Sequence, residues 1–436
     1  MKFENASSSV EALDSRWYRR FEETAFDDYE SLAGSRDARA GERARFLSGE
    51  VENPTLDYPF LEEFDDQGKE AALLALKEDV LDLETNEVVK KVYRTKINES
   101  IATVRMLSAA KSGDDRRFAR YSAFIYGLPQ PDQMNYIAST VYEQAKQLLD
   151  DPDTERRQAA ERIVALLEKV DIPAVDGVSR EVLPEGQRIE GEITGVDEVV
   201  GMFTQALEEL GLDDWEVLVD TDRGLTAFSV SQETKTVKIP SEEALAERGL
   251  SKRNLKGLIA HEVETHALRR HNGERSKLQL LGLGLDRYLK GEEGVATYNE
   301  QQVTGAREFA GIPRYFSIAL AKGFAGGPRD FRQTYEIMRD YRLLSTTGDN
   351  AVEKAGRTAW NDCVRIFRGT TCKTPGAVYT KDLAYMGNRE VWTLVSKDSD
   401  VVETFSVGKF DPTNERHVAL LSQLGILDSD LNELDT

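Results

Sequence analysis

Apolar residues recur at three- and four-residue intervals through residues 55–170, as in Ala71-Ala-Leu-Leu-Ala-Leu76, Val88-Val-Lys-Lys-Val92 and Ile101-Ala-Thr-Val-Arg-Met106. That spacing predicts amphipathic helices, each with one buried face. Gly127-Leu-Pro-Gln-Pro131 interrupts the run, and a helix beginning at Thr154 ends before the Pro- and Gly-containing stretch Asp171–Gly177. The period then changes. After a helix over Val196–Leu210 come three short runs, Trp215–Asp220, Leu225–Ser231 and Thr236–Pro240, rich in β-branched residues and separated by turn signals. They predict a small antiparallel sheet with Thr236–Pro240 as its candidate edge strand. Helical spacing resumes from Ser276 to about Leu344. The chain thus divides into a peripheral segment (1–54), an N-terminal helical domain (55–185), a second domain (186–425) and an acidic tail (426–436).

Composition narrows the class. The 436 residues are 40% apolar, enough for a substantial core. Met1–Val10 has no apolar centre and no later stretch approaches membrane-spanning length, which predicts a soluble cytoplasmic protein with no membrane partner. Two cysteines fit a reducing compartment; Cys363 reads as a packed thiol, with a Cys363–Cys372 disulfide as the alternative. A net charge of -22 argues against nucleic acid as a partner, because phosphates would be repelled, and is also what adaptation to a salt-rich cytoplasm produces.

The chemistry is concentrated in one place. Three of the four histidines lie in His261-Glu-Val-Glu-Thr-His266-Ala-Leu-Arg-Arg-His271, with Glu262 directly after the first. A zinc hydrolase needs two such imidazoles and a carboxylate base beside the open coordination position. The usual spacing between the histidines is four residues, which keeps both on one helix face; here it is five, and five residues of ideal α-helix rotate by about 140°. A π-bulge would restore a shared face. His271 would lie about 7 Å further along the axis from His266 and reads as structural. A third ligand is expected from Glu292-Glu293, at the start of a second helix; the alternative for that pair is a solvated first turn.

His-Glu-x-x-Thr-His, followed by Arg269, Asn272 and Gly273 and then by Glu-Glu-Gly-Val-Ala, resembles the microtubule-associated tyrosine carboxypeptidase family, whose bacterial and archaeal relatives carry a Gln-Glu-Gly-Leu-Ala signature. Asp362-Cys-Val-Arg-Ile-Phe-Arg-Gly369, Lys381-Asp-Leu-Ala-Tyr-Met-Gly387 and the upstream Phe118–Pro129 extend the resemblance over roughly residues 70–430. It implies that His261 and His266 ligate Zn2+, that Glu262 is the catalytic glutamate, and that Glu293, immediately before the glycine, completes the zinc site. Glu264, where the best-known members have glycine, is a departure and should face away from the ion.

The fold class expected from these features is α+β and mostly helical: a zincin-like catalytic domain with a small antiparallel sheet, beside the N-terminal helical domain. The expected function is removal of a C-terminal residue from a peptide or protein by metal-activated water attack, with Glu262 as proton acceptor and then donor. The edge strand would hold extended substrate by main-chain pairing. Tyr385 or Tyr298 would assist at the oxyanion. Arg365, Arg368 and Lys381 form a basic interval in an acidic chain, and at least one is expected to bind the terminal carboxylate. The family acts on tyrosine or glutamate at acidic tails, whereas the bulk charge here opposes steering such a tail. Two alternatives share part of this reading: a zinc endopeptidase with the same His/His/Glu site, and a non-catalytic helical adaptor with structural zinc. Glu262 speaks against the adaptor, since a closed structural site has no use for an adjacent base.

Overall fold

A computed structural model describes residues 12–26, 28–172, 178–219, 228–232 and 234–427. Helices form where the periodicity predicted them: Asp66–Leu83, Glu87–Lys111, Asp115–Tyr126, Pro131–Lys146 and Thr154–Leu167 in the first half, then Val196–Glu209. Local chemistry sets their ends. Asn86, Asp114 and Asp153 each accept hydrogen bonds from first-turn backbone N–H groups, and Pro131 occupies a first-turn position where no N–H is required.

The buried faces merge with the second half of the chain. Met134, Ile137, Val141, Ile163 and Leu167 share a core with Phe316, Phe331, Trp360 and Phe367. Leu73, Val80, Tyr93 and Ile97 share another with Leu280, Phe410 and Leu421. The N-terminal segment, expected at the periphery, also reaches the interior: Phe46 is buried in the first of these cores, Trp17 and Phe21 in the second, and Leu32 in a third with Met106, Phe118 and Tyr379. Its charged composition concealed a few aromatic anchors, each large enough to hold a helix by itself.

The sheet differs from expectation. Strands β1 (Glu216–Val219), β2 (Ser229–Ser231) and β3 (Thr236–Ile239) lie in the order β1-β3-β2, with β1 parallel and β2 antiparallel to β3. It is a mixed sheet, and Thr236–Ile239 is its central strand, not an edge. The reason is visible in burial: Thr236, Val237 and Ile239 are buried while β1 alternates exposed and half-buried. A strand covered on both faces belongs in the middle. Leu225–Ala227 and Asp220, predicted as strand, lie outside the described residues, as do most of the acidic tail and much of the Asp171–Gly177 stretch. The sheet packs Val237, Ile239 and Phe228 against Leu255, Ile259, Val263 and Ala267, so it backs the histidine segment. Both cysteines are free and buried. No helix among the described residues is long and apolar enough to cross a membrane.

His417, the histidine outside the motif, is fully buried and accepts a hydrogen bond from the Asp411 backbone N–H at its Nδ1 (3.1 Å). Burial pushes it down to about 4. Its folded value therefore lies below its unfolded value, so the unfolded chain binds the extra proton first and stability is lost as pH falls from about 6.5 toward 4. Between pH 7 and 4.5 the parent should lose on the order of 2 kcal/mol more unfolding free energy than His417→Gln, measured by urea titration; parallel losses would show that His417 is not the group responsible.

Candidate functional site

Ser251 caps the helix Lys252–His261 by accepting from the Asn254 N–H, and Leu255, Ile259 and Ala260 bury its inner face. The chain does not stop at His261. It widens into a π-helical segment, Glu262–Ala267, and returns to α-helix at Leu268–Glu274. The widening absorbs the extra residue between the histidines: the rings of His261 and His266 lie 5.0 Å apart, centre to centre. Thr265 secures the bulge. Its hydroxyl donates to the Ala260 carbonyl five residues back (2.8 Å) and accepts from Asn299 Nδ2 (2.9 Å) on the opposing helix.

That opposing helix, Leu289–Thr304, supplies the rest of the site. It approaches its neighbours through glycine: a Cβ on Gly294 would stand 2.7 Å from the Gly387 carbonyl oxygen, so residue 294 has no room for a side chain. Fixing the helix there places Glu293 facing the histidines. Ligand atoms of His261, His266 and Glu293 all lie within 4.8 Å of one another, and His261 Nε2 is 3.7 Å from Glu293 Oε2. That Glu293 oxygen is buried and, among the described residues, has no hydrogen-bond partner. A buried carboxylate oxygen without a partner is costly, and a cation shared with the two imidazoles would satisfy it. The donor set of two nitrogens and one oxygen is one that zinc accepts, with a position to spare. The residues present therefore fit a metal.

Each imidazole is held by a second carboxylate. His261 Nδ1 lies 3.0 Å from Glu300 Oε2, and His266 Nδ1 lies 2.9 Å from Glu292 Oε1. With both Nδ1 atoms engaged, the two Nε2 atoms are left for an ion, the orientation that carboxylate–histidine pairs impose in metal sites. Glu292 is itself fixed in the interior. Arg269 Nη1 donates to its Oε2 (2.6 Å) and Lys409 Nζ to its Oε1 (3.0 Å), all three side chains being no more than 2% exposed. Burial alone would raise the Glu292 pKa, but Lys409 and Arg269 overcome it and hold the carboxylate far below its usual range.

Glu262 is buried beside the triad, 8% exposed. Burial pushes its pKa up, opposed by His261 and His266 and reinforced by Glu293 and Glu300. It is a more basic carboxylate than one in water. Glu264 is exposed, with Glu209 and Lys256 as its charged neighbours, and His271 has its Nδ1 3.9 Å from Asp214.

Tyr385 lies on the short helix Lys381–Met386, which leads into Gly387 where it packs on Gly294 beside Glu293, and its pKa is raised first by burial and next by the charge of Glu293. Tyr298 is elsewhere, packed between Trp392 and Phe405 in an apolar cluster. The three cations meet different partners. Arg365 grips the buried Asp382 with both arms of its fork and reaches the Tyr385 hydroxyl with Nη2 (3.4 Å). Lys381 Nζ lies on the buried Asp28 carboxylate (2.8 Å). Arg368, 6% exposed, stands 3.7 Å over the ring of Tyr29 with Nε and Nη1 unpartnered. Arg365 thus adjoins Tyr385 and also donates to the Tyr29 hydroxyl (3.3 Å), so all three cations make contacts to the N-terminal segment.

Several participants escaped the sequence reading. Glu300 follows Glu293 by seven residues, two turns of one helix, and that interval was the available signal. Glu292, read as the loser of a choice with Glu293, is instead the partner of His266. Arg269, Asn272 and Gly273 dock the chain near the C-terminus: Arg269 donates to the carbonyls of Gly408 (2.8 Å) and Phe410 (2.7 Å), Asn272 to that of Ser406 (2.8 Å), and a Cβ at Gly273 would collide with Leu281.

Replacing Glu300 by Gln should weaken divalent-metal binding about 10- to 100-fold, measured by chelator competition, with little change in unfolding because the side chain is a third exposed. Glu292→Gln should lose metal affinity and also about 3–5 kcal/mol of stability, since Lys409 and Arg269 would remain buried without their counter-charge. An unfolding midpoint equal to the parent's would contradict the second expectation.

No curated protein matches the chain. The family model of the microtubule-associated tyrosine carboxypeptidase matches residues 132–430, which hold the whole histidine–carboxylate site and both of the later blocks, Asp362–Gly369 and Lys381–Gly387. With more than half its length covered, the chain belongs to the microtubule-associated tyrosine carboxypeptidase family, a family of peptidases.

Proposed function

We propose that this protein is a zinc-dependent metallocarboxypeptidase that removes a C-terminal residue from a peptide or protein. The observation that carries the reading is the unpartnered, buried Glu293 oxygen facing two imidazoles whose other nitrogens are tied to carboxylates. His261, His266 and Glu293 would hold the ion. Zinc in such a site supplies Lewis acidity toward a carbonyl and makes a water nucleophilic near neutral pH.

The chain supplies the remaining steps. Glu262, its basicity raised by burial, takes the proton of the attacking water and returns it to the departing amine. Glu300 and Glu292 keep the imidazoles in the ligating tautomer. Tyr385 offers a phenolic O–H to the developing oxyanion, and Arg365, locked by Asp382, steadies that hydroxyl. A site with only three protein ligands and an adjacent buried base suits hydrolysis better than a structural zinc, which closes with four.

The test uses zinc-loaded protein and a peptide library with free or amidated C-termini, followed by mass. Stepwise loss confined to free termini is expected. Internal cuts would instead indicate an endopeptidase. Glu262→Gln should keep its metal and lose cleavage by at least 10²–10⁴-fold; a variant as active as the parent would remove Glu262 from the mechanism, and a parent inert on every peptide would favour an adaptor.

A further inference from the structure

We propose that Arg314 is the residue that receives the terminal carboxylate of the substrate. The proposal rests on the carboxypeptidase reading above and names the group that makes the site an exopeptidase site. An enzyme that works from a C-terminus must recognise a free carboxylate beyond the scissile bond, and a planar guanidinium gives two parallel charge-assisted hydrogen bonds for the purpose. Such a residue has to stand near the site, partly open to solvent, and not already spent on a carboxylate of the protein.

The cations around Tyr385 separate on those criteria. Arg365 is near but held bidentately by Asp382. Lys381 is paired with Asp28, and Arg368 is buried over Tyr29. Arg314 meets all three requirements. It lies on the helix Ile312–Lys322, whose preceding residue, Gly311, approaches so closely that a Cβ there would be 2.5 Å from the Tyr385 Cβ. Its Cζ stands 4.3 Å from the centre of the Tyr385 ring, and the side chain is partly exposed. Among the described residues its guanidinium makes no hydrogen bond and no ion pair, whereas Asp382, the nearby carboxylate that feels its charge, is occupied by Arg365. A guanidinium held by a ring keeps its N–H donors for another partner. In a chain of net charge -22, an arginine left uncommitted over the Tyr385 ring is available to one negative group.

This geometry divides the labour around Tyr385. Arg365 and Asp382 form a closed pair that orients the phenol, and Arg314, on the other helix, is left to engage substrate. A peptide seated by its terminal carboxylate on Arg314 would present its last peptide bond toward Glu262 and the triad, and an internal segment would have no group to place there.

The test measures equilibrium binding to the zinc-loaded Glu262→Gln protein, which holds substrate without turning it over. The probes are a matched pair of peptides, free acid and amide, ending in the residue the parent removes fastest. The free acid should bind at least tenfold more tightly than the amide, and adding Arg314→Gln should bring that ratio close to one while leaving amide affinity in place. Adding Arg314→Lys, which keeps the charge but not the fork, should leave an intermediate ratio. A preference for the free acid that survives Arg314→Gln overturns the assignment of Arg314 alone. No preference in the Glu262→Gln protein overturns the carboxypeptidase reading together with this inference. If the glutamine variant loses the amide as well, the lysine variant decides: a reduced ratio supports the receptor role, and an undiminished one overturns it.

Discussion

One buried carboxylate organises this protein. Glu292 joins three parts of the chain that are distant in sequence: His266 and Arg269 on the histidine segment, its own helix Leu289–Thr304, and Lys409 near the C-terminus. Burying three charged side chains carries a large desolvation cost, which the charge-assisted hydrogen bonds of Arg269 and Lys409 to Glu292 offset. Arg269 spends two further donors on the Gly408 and Phe410 carbonyls, so the same guanidinium that neutralises Glu292 also holds the Gly408–Phe410 stretch against the histidine segment. An apolar cluster of equal volume would hold the pieces together as well. It would not fix the direction of one imidazole nitrogen, which is what this network does.

The π-helical segment is the second constraint. Rotating His261 and His266 onto a shared face requires a wider turn, and a wider turn disturbs the regular bonding of the backbone. Thr265 compensates with its hydroxyl, itself held by Asn299 from the facing helix. The bulge is therefore supported from the same helix that brings Glu293 and Glu300, and the sheet supports it from behind through Val263 and Ala267. Ligands, their orienting carboxylates and the brace for the bulge all come from two helices crossing at close range.

The cationic region shows how charge is apportioned in an acidic protein. Arg365 and Lys381 each face a buried aspartate, Asp382 and Asp28, and Tyr29 carries the guanidinium of Arg368 over its ring. The N-terminal segment thus packs on the second half of the chain, although its composition reads as solvent-exposed. A handful of contacts from Asp28, Tyr29 and Leu32 suffices: Asp28 and Leu32 are buried and Tyr29 is half-buried, each against residues far along the chain.

The sequence alone determined the helices, whose apolar spacing leaves one buried face, and it brought forward His261 and His266 as candidate ligands, with Glu293 added through the family resemblance; the structure gathers these three within reach of one cation. The π-bulge was legible too, as a way for a five-residue interval to bring both imidazoles to one face. Other features depended on distance in space. Strand order could not be read, since β3 is central only because β1 crosses over to pair with it in parallel. The partner of His266 could not be read either: adjacent glutamates look alike in sequence, and only the meeting of Arg269, Lys409 and Glu292 in a low-dielectric interior gives one of them its fixed charge. The same holds for the arginines. Periodicity says which arginines exist, but whether a guanidinium is committed or free is decided by which carboxylate the fold brings to it.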